Sequence, residues 1–538
     1  MFDITDFGAV PDGETLNTSA IQRAIEACTE AGGGQVLVPP GTYLTGTLFL
    51  QDNVTLYLTE GATLLGSPRI EDYAPKNLIV AEGVRCVGIA GRGTIDGQGY
   101  AFWELRQPLD EWVARRRHFG WVPHHWYRHK AQASGRLVRI EDCQDVRIHD
   151  VVLTNAESWT LFILGCEDVN IRGIRILNPL IGPNTDGIDI DASCNVTVSD
   201  CYISTADDAI CLKNEVEGYT DWVCRDITIT NCILTTQCNA FKIGTGTRGS
   251  FENIVLSNSV IKAAEATEPL ARRAAETVDP GHYGNALGPL GGVSIESVDG
   301  GDVRGVSVSN LVMKGVRAPV FVRRGNRASL EDPEAVPGQL RDVTIENVVA
   351  YDASTTSSIT GLPDYPVEGV SLSNIRIETA GGGTAEMARQ EPEELPTTYP
   401  ESIMWGRLPA HGLLCRHVTD LTLRDLRVQP LALDARPLLI CDDVQDLRVD
   451  GLVSSPRVSA DPLVALKNSR HVVLRGALPA RGNQTWVRVA GRTSEEILLV
   501  PDGLRPMQNA VSLGEDVSAT EVHLAPLVTT NAGDGGEA

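Results

Sequence analysis

Short runs of alternating apolar and polar residues recur along most of this chain. One run holds Val146, Ile148 and Val151, and a later one holds Val169 and Ile171. A period of two is that of a strand with one buried face. Segments of this form begin near Cys143, Cys166, Cys194, Cys224, Phe251, Val303, Arg341, Val367, Val418, Val444, Ser469, Ser494 and Ala519, and many successive gaps are 23 to 30 residues. This repetition predicts a solenoid in which each unit buries its apolar side against its neighbours.

One amphipathic helix precedes the repeats. It follows the cap-type residues 17–19 and ends at the glycines 32–34. Its apolar face consists of Ala20, Ile21, Ala24, Ile25 and Cys28. A helix there would cover the open end of a stacked sheet, where strand edges are otherwise unpaired. The predicted fold is therefore all-β, a right-handed parallel β-helix with an N-terminal capping helix.

The pattern predicts one elongated domain. Residues 1–35 hold the N-terminal strand and the capping helix, residues 36–526 form the β-helix, and residues 527–538 form a disordered tail. Because a solenoid grows without thickening, 538 residues can form a single domain.

Three inserts interrupt the predicted coils, at residues 100–135, 263–290 and 380–412. The first insert is rich in aromatic and basic residues: Trp103, Trp112, Arg115, Arg116, Arg117, His118, Trp121, His124, His125, Trp126 and Tyr127. This composition suits contacts with sugar rings, although the loop could equally pack back on the coils with its aromatic rings buried. His124 and His125 with His129 suggest a metal site, but no carboxylate or cysteine joins them at ligand spacing, so we predict no metal.

The net charge and the positions of the cysteines limit the possible binding partners and the expected cellular location. The net charge of −24 comes without basic patches, which argues against a nucleic-acid partner. No apolar run is long enough to span a membrane, and the chain opens without a basic-then-apolar leader, so the expected location is cytoplasmic. Cys143, Cys166, Cys194 and Cys224 fall at matching repeat positions, which predicts buried free thiols and agrees with a reducing compartment.

Three aspartates lie in segments spaced by about one coil. Asp186 precedes Asp207 by 21 residues and Asp208 by 22 residues, so the coils should place their carboxyl groups in one patch. Close carboxyl groups cannot all ionise cheaply, so one should hold a proton near neutral pH. A protonated acid beside ionised bases can hydrolyse a glycosidic bond. The plain alternative is that these motifs are turn residues.

The motifs resemble glycoside hydrolase family 28, the polygalacturonases. The likeness covers residues 3 to 330 and includes Asn184-Thr185-Asp186, the pair Asp207-Asp208, and the opening residues 6–22. The resemblance implies a pectin-degrading enzyme with a right-handed parallel β-helix, an oligosaccharide substrate and no cofactor. It implies that Asp207 is the general acid, that Asp186 and Asp208 activate the attacking water, and that inversion follows. Asn184 and Lys213 would then lie near the substrate.

The chain departs from the family pattern at two places. Asn239 stands where the family has the histidine of Gly-His-Gly, and Ser294-Ile295-Glu296 stands where the family has Arg-Ile-Lys. The basic pair that would hold a uronate carboxylate is therefore missing, and Glu296 would repel such a group. Either Lys242, or an arginine of residues 322–327 such as Arg324 or Arg327, replaces the cation, or the sugar bound there is not a uronate.

These observations leave three functional hypotheses. The first is an inverting glycoside hydrolase on pectin-like oligosaccharides, exo-acting if the inserts close one end of the cleft. The second is a polysaccharide lyase, for which Asp189 and Asp191, together with the three aspartates, could bind Ca²⁺. The third is a non-catalytic sugar-binding β-helix. Sugar identity, linkage and oligomeric state do not follow from the sequence.

Overall fold

A computed structural model describes residues 1–106, 127–265, 287–476, 485–501 and 509–525. Almost all of the described strands pair in parallel into one continuous sheet that winds into stacked coils. The prediction of an all-β, right-handed parallel β-helix is confirmed. The predicted tail, residues 107–126 of the first insert and residues 266–286 of the second insert lie outside the described residues.

The elements are numbered in chain order. The first twenty strands are β1 (Phe2–Asp3), β2 (Asp12–Leu16), β3 (Gly34–Val38), β4 (Gly41–Thr45), β5 (Leu48–Phe49), β6 (Val54–Leu58), β7 (Ala62–Gly66), β8 (Ile79–Glu82), β9 (Arg85–Gly91), β10 (Thr94–Asp96), β11 (Trp103–Leu105), β12 (Tyr127–His129), β13 (Val138–Glu141), β14 (Gln144–His149), β15 (Val152–Thr154), β16 (Leu161–Leu164), β17 (Glu167–Arg172), β18 (Arg175–Leu177), β19 (Ile188–Asp191) and β20 (Cys194–Ser199). The others are β21 (Tyr202–Ser204), β22 (Ile210–Asn214), β23 (Cys224–Thr230), β24 (Ile233–Thr235), β25 (Asn239–Thr247), β26 (Phe251–Lys262), β27 (Gly291–Ser297), β28 (Val303–Lys314), β29 (Ala318–Arg324), β30 (Leu340–Ala353), β31 (Ser357–Thr360), β32 (Val367–Thr379), β33 (Leu413–Pro430), β34 (Leu439–Asp450), β35 (Val464–Lys467), β36 (Arg470–Arg475), β37 (Thr485–Ala490), β38 (Glu495–Val500), β39 (Asn509–Leu513) and β40 (Val522–Leu524). The α-helix is α1 (Thr18–Glu30), and short 3-10 helices span Ile4–Phe7, Ile70–Asp72, Gly99–Phe102, Arg327–Leu330, Met387–Arg389 and Ala519–Glu521.

The coils have three faces. The face that carries the candidate site, which we call the cleft sheet, consists of β5, β8, β13, β16, β19, β22, β25, β27, β29, β31, the starts of β33 and β34, then β35, β37 and β39. Long strands such as β26, β28 and β30 bend and serve both other faces. Consecutive coils therefore place equivalent residues about 4.8 Å apart along the axis.

The interior is filled by columns of apolar side chains, one from each coil. One column contains Val146, Val169, Val196, Ile227, Ile254, Val306, Val343, Val370, Leu421, Leu447, Val472 and Ile497, all of which are buried. These are the residues that the alternation predicts to be inside. Burial of each such side chain contributes about 1.5–3 kcal/mol, so the column is a main source of stability.

Asparagine side chains stack along one corner of the coils. Asn310 donates to Asn258 at 3.0 Å, Asn347 donates to Asn310 at 3.2 Å, and Asn374 donates to Asn347 at 2.8 Å. All four have a positive φ between 50° and 57°. Asparagine tolerates this left-handed conformation better than most residues, so it allows the chain to turn while the side-chain ladder links the coils.

Helix α1 covers the N-terminal end, as predicted. Its face of Ala20, Ile21, Ala24, Ile25 and Cys28 is buried against the first coils. Asn17 occupies the cap position, but its side chain makes no capping hydrogen bond. It instead accepts from the backbone of Val10 at 2.7 Å and donates to Thr15 at 2.7 Å, and thereby ties the entry segment to the helix start.

The cysteine column differs from the prediction by one residue. Cys194 pairs with Glu167 and is only half-buried, whereas the buried Ser193 takes its place in the column, where its hydroxyl oxygen accepts the Cys166 amide at 3.0 Å. A slip of one residue exchanges the inner and outer faces of a strand, which is why Cys194 points outward. All twelve cysteines are free, and ten of them are buried.

The second and third inserts begin and end at strand boundaries. Residues 263–290 connect β26 to β27, and residues 380–412 connect β32 to β33 without any strand. In the first insert, β11 and β12 form an antiparallel ribbon beside the coils. Among the described helices, none has the length and apolar character to cross a membrane.

Candidate active site

The three aspartates meet at the start of the cleft-sheet strands. Ile188 of β19 pairs with Ile210 of β22, so Asp186 and Asp208 occupy equivalent positions on successive coils. Gly187 allows this approach, because a Cβ atom there would lie 2.4 Å from the Ala209 carbonyl oxygen. Together with Asp207, they line a cleft of about 240 Å³. The other lining residues are Trp159, Asn184, Lys213, Glu215, Cys238, Thr245, Tyr399 and Glu401.

Asp207 lies on a backbone segment that neighbouring hydroxyl groups hold in place. Its carbonyl oxygen accepts from Thr205 at 2.6 Å and from Thr236 at 2.5 Å. Its carboxylate accepts the Asp208 amide at 3.0 Å, and one oxygen each of Asp207 and Asp208 lie within 4.8 Å of one another. The predicted acid therefore sits on a rigid turn beside one of the predicted bases.

Among the three aspartates, Asp186 shows the clearest effect of burial on its pKa. Its side chain is buried, and its Oδ1 has no hydrogen-bond partner within the described chain. Burial, followed by the negative charges of Asp207 and Asp189, raises the pKa of Asp186 well above its usual range. One member of the trio therefore binds its proton more tightly than an ordinary carboxyl group, which is the direction that close carboxyl groups lead us to expect. The assignment of the acid role to Asp207 stays a prediction.

Asp208 is held by the next coil. Its Oδ1 accepts from the Asn239 backbone at 2.9 Å and from the Asn239 side-chain amide at 3.0 Å. Its Oδ2 lies 3.6 Å from the Lys242 ammonium. Ser294 on the following coil donates to Asn239 Oδ1 at 2.9 Å. Asn239, which stands at the position of the family histidine, therefore orients Asp208 through two donors and is itself fixed by Ser294.

Glu401, which the sequence did not single out, reaches this network from the third insert. The Asn239 amide donates to both carboxylate oxygens of Glu401 at 3.3 Å, and Lys242 lies 3.4 Å from one of them. Burial raises the pKa of Glu401 to about 7, against the effect of Lys242. Glu401 follows Asn239 by 162 residues, and no motif or period marks it.

Lys242 and Glu296 lie beneath the cleft. Burial alone would lower the pKa of Lys242, but Asp208, Glu296 and Glu401 raise it well above its usual range. Glu296 is completely buried, does not line the cleft, and has neither carboxylate oxygen hydrogen-bonded within the described residues. Burial raises the pKa of Glu296 well above its usual range. Of the two, Lys242 is the residue that contacts the cleft carboxylates.

Lys213 is a further residue of the cleft lining. Its ammonium donates to the Thr245 carbonyl at 3.0 Å, lies 3.9 Å from Asp189 and sits 5.0 Å from the Trp159 ring centre. The sequence places Lys213 near the substrate, and the structure places it in the cleft wall.

The predicted arginines lie outside the cleft lining. Arg324 donates to the carbonyls of Gly338 and Pro366, each at 2.6 Å. Arg327 pairs with Asp299 at 3.5 Å and stacks on Tyr399 at 5.2 Å. Arg324 therefore braces the loops behind the site, and Arg327 supports the ring of Tyr399, which faces the cleft.

His129 of the first insert is partly buried near Asn184 and pairs with Glu157, a buried residue of the coils. His129 Nδ1 hydrogen-bonds to Glu157, and its Nε2 lies 3.4 Å from Asn184 Oδ1. Burial alone would lower the pKa of His129, but Glu157 outweighs this effect and raises it. Trp103 is buried and donates to the Glu157 backbone at 2.7 Å, so this part of the insert packs back on the coils. Trp112, Arg115–Arg117, His118, Trp121 and His124–Trp126 lie outside the described residues.

Two further carboxyl groups are buried beside the site. Asp189 and Asp191 are fully buried, and none of their carboxylate oxygens has a hydrogen-bond partner among the described residues. Burial raises the pKa of Asp189 to about 8 and that of Asp191 to about 7. These groups are expected to oppose folding once they ionise.

Because burial raises the pKa of Asp191, we expect the stability of the folded protein to depend on pH. The folded-state pKa of about 7 exceeds the ordinary value of 3.8, so the folded state binds the extra proton and its stability falls as pH rises between these values. We expect Asp191→Asn to remove this part of the loss. Between about pH 5 and about pH 8, its melting temperature should fall roughly 1–4 °C less than that of the parent in calorimetry. Asp221→Asn, at an exposed position, is the matched control and should follow the parent. Equal pH dependence in all three proteins would contradict the prediction.

A metal ion has one possible position among the described residues. Asp207, Asp208 and Cys238 offer ligand atoms within 4.8 Å of one another. Ca²⁺ takes six to eight oxygen ligands, and a thiol is a poor one. The Lys242 ammonium, 3.6 Å from Asp208, already supplies a positive charge there. The set therefore fits a calcium-dependent lyase poorly, and the absence of a cofactor stays a prediction.

Comparison with known proteins agrees with the resemblance. Residues 28–266 match the model of glycosyl hydrolases family 28. A probable polygalacturonase of Vitis vinifera is 27% identical over 413 residues, covering 70% of this chain and 74% of the relative. An exo-poly-alpha-D-galacturonosidase of Dickeya chrysanthemi is 26% identical over 397 residues, covering 66% of this chain and 62% of that protein.

Solved structures agree on the fold. An exopolygalacturonase from Thermotoga maritima superposes with a TM-score of 0.56 at 23% identity, covering 70% of this chain and 86% of that one. A family 28 exopolygalacturonase of Yersinia enterocolitica gives 0.56 at 21% identity, covering 81% and 78%. The matched family region contains the three aspartates and Asn239 but ends before Glu296 and Glu401.

Proposed function

We propose that this glycoside hydrolase of family 28 cleaves glycosidic bonds in pectin-like, uronate-containing oligosaccharides from a chain end, with inversion of configuration. The family relationship and the enzyme class that the motifs predict are confirmed by the comparisons. The observation that carries the proposal is the trio of aspartates on two coils, at the floor of one cleft.

In this proposal each step is assigned to a side chain. Asp207 donates its proton to the glycosidic oxygen as the bond to the anomeric carbon breaks. A water molecule attacks that carbon from the opposite face and transfers its proton to Asp186 or Asp208. Trp159 and Tyr399 flank the cleft and offer rings for sugar contacts.

The spacing of the carboxyl groups bears on the stereochemistry. The closest oxygens of Asp207 and Asp208 lie within 4.8 Å, whereas inverting pairs are separated by about 6.5–9.5 Å. A pair this close leaves little room for water, so we assign the water to the side of Asp186, which belongs to the preceding coil. Retention of configuration would instead indicate that Asp208 acts as a nucleophile.

The chain-end preference is supported by the third insert. Tyr399 and Glu401 lie in the cleft wall, and Arg323 holds the same insert by donating to the Glu394 carbonyl at 2.6 Å. A firmly held insert in the wall of a small cleft leaves little room for a long polymer to pass through it.

Product analysis on pectic fragments tests the proposal. We expect one small product from the first turnovers, with the inverted anomer seen by NMR, no product that absorbs in the ultraviolet, and unchanged rates in EDTA. Random internal cleavage would contradict the exo mode. Unsaturated, metal-dependent products would indicate a lyase, and a lack of turnover on all pectic fragments would contradict the enzyme function.

A further inference from the structure

The missing basic pair of the family pattern is not replaced by the arginines near the site. Arg323 donates to the carbonyls of Gly361 at 3.2 Å and Glu394 at 2.6 Å. Arg324 also donates to backbone carbonyls, and Arg327 pairs with Asp299. Arg323 and Arg324 hold loops together, Arg327 is paired with Asp299 and stacked on Tyr399, and none of the three lines the cleft.

Lys242 is also not available to bind a sugar carboxylate, because other groups already hold its ammonium. Its side chain is 1% exposed, and its ammonium lies between Asp208 and Glu401, at 3.6 Å and 3.4 Å. It is not part of the cleft lining. A uronate carboxylate could reach Lys242 only by displacing one of these two carboxyl groups, and it would then face the other.

The cleft wall is strongly acidic. Five carboxyl side chains line it, and Lys213, whose ammonium donates to the Thr245 carbonyl at 3.0 Å, is the basic lining residue within the described chain. Like charges in contact repel each other strongly where water is partly excluded. A second carboxylate beside Glu401 and Asp208 would therefore lower affinity, whereas sugar hydroxyl groups can donate to the Glu401 oxygens.

We propose that the sugar ring bound against Glu401, next to the scissile bond, is a neutral hydroxylated sugar and not a uronate, and that Glu401 determines this specificity by accepting hydrogen bonds from ring hydroxyls. This inference rests on the proposed function, because it concerns a subsite of the same cleft. Uronates of the oligosaccharide then occupy other positions along the chain. The specificity element belongs to residues 380–412, outside the region that matches the family model.

The sugars on either side of the cleaved bond test this inference directly. Wild-type protein is incubated with pectic fragments that contain uronate–uronate bonds and fragments that contain bonds between a neutral sugar and a uronate, and the new chain ends are identified by mass spectrometry. We expect cleavage at bonds with one neutral sugar. Preferred cleavage between two uronates overturns the inference while supporting the proposed function, and absence of any cleavage overturns the proposed function.

The Glu401→Gln variant then tests whether Glu401 determines this specificity. Loss of a hydrogen bond to a charged acceptor should raise KM for the neutral-sugar substrate about tenfold, with a smaller change in kcat, and should reduce the preference over the uronate analogue. Glu393→Gln is the matched control, because Glu393 is exposed in the same insert and should leave both constants unchanged. An unchanged preference in a folded Glu401→Gln protein overturns the assignment. Glu401→Asp, which keeps the charge on a shorter side chain, separates hydrogen bonding from charge, and if neither variant folds, the wild-type cleavage sites decide.

Discussion

Asp207→Asn is expected to reduce kcat on natural oligosaccharides by about 10²–10⁴-fold, because the leaving oxygen loses its proton donor. The amide is nearly the same size as the acid, and the segment is fixed by Thr205 and Thr236 through its backbone carbonyl. Substrate affinity, measured by calorimetry, should therefore stay close to that of the parent. Steady-state kinetics on the fragments that the parent cleaves gives the comparison.

Substrates with different leaving groups distinguish the loss of a general acid from a general disturbance of the active site. An aryl glycoside with an acidic leaving group needs little protonation, so Asp207→Asn should lose far less activity on it than on an oligosaccharide. Asp186→Asn and Asp208→Asn, if these residues activate water, should lose activity equally on both substrates. The acid assignment is wrong if Asp207→Asn keeps more than about a tenth of its turnover, or if the loss is independent of the leaving group.

Lys242→Met is expected to lower the free energy of unfolding by about 3–5 kcal/mol and to abolish activity. The methionine fills a similar volume, but Asp208 and Glu401 then lose the buried cation between them. Removal of one partner from a buried charge network leaves uncompensated carboxylates, which is far more costly than the loss of a surface pair. The loss should grow as the pH rises through about 7, because the pKa of Glu401 is raised to about 7 and its carboxyl group ionises there. Denaturant unfolding followed by circular dichroism measures it.

Lys467→Met is the matched control for this substitution. Lys467 pairs with Glu391 at 3.0 Å, but its side chain is 41% exposed, so the change should stay within about 1 kcal/mol. Addition of Glu401→Gln to Lys242→Met removes one of the stranded charges and should recover part of the stability. If Lys242→Met unfolds like the parent, the network does not have the role that we assign to it.

The coils were predictable because their signal is local. Alternation of Val146, Ile148 and Val151 defines a strand within a few residues, and the same signal returns in each coil. The error at Cys194 shows the limit of this signal. Ser193 and Cys194 are both small, and only the pairing of Cys194 with Glu167 decides which of the two faces the interior.

The aspartate patch was predictable for the same reason. A regular coil length converts a spacing of 22 residues into neighbouring positions, so Asp186 and Asp208 had to stack once the β-helix was recognised. No regular spacing in the sequence marked Glu401 as part of the site. It lies on a connection without strands, and its approach to Asn239 depends on how that connection folds back over the coils.

The amino-acid sequence alone was sufficient for the coil architecture and the carboxyl trio, because both follow from short patterns repeated at a regular interval, and for the capping helix, because its apolar face is a local pattern. The loss of the basic pair followed from the resemblance to the family pattern. The tertiary structure was needed to show that Lys242 is held by Asp208 and Glu401, and that Arg323 and Arg324 hold loops. The physical reason is that a buried charge is satisfied by whichever groups the fold brings near it, and residues 380–412 approach the cleft through contacts that no local pattern encodes.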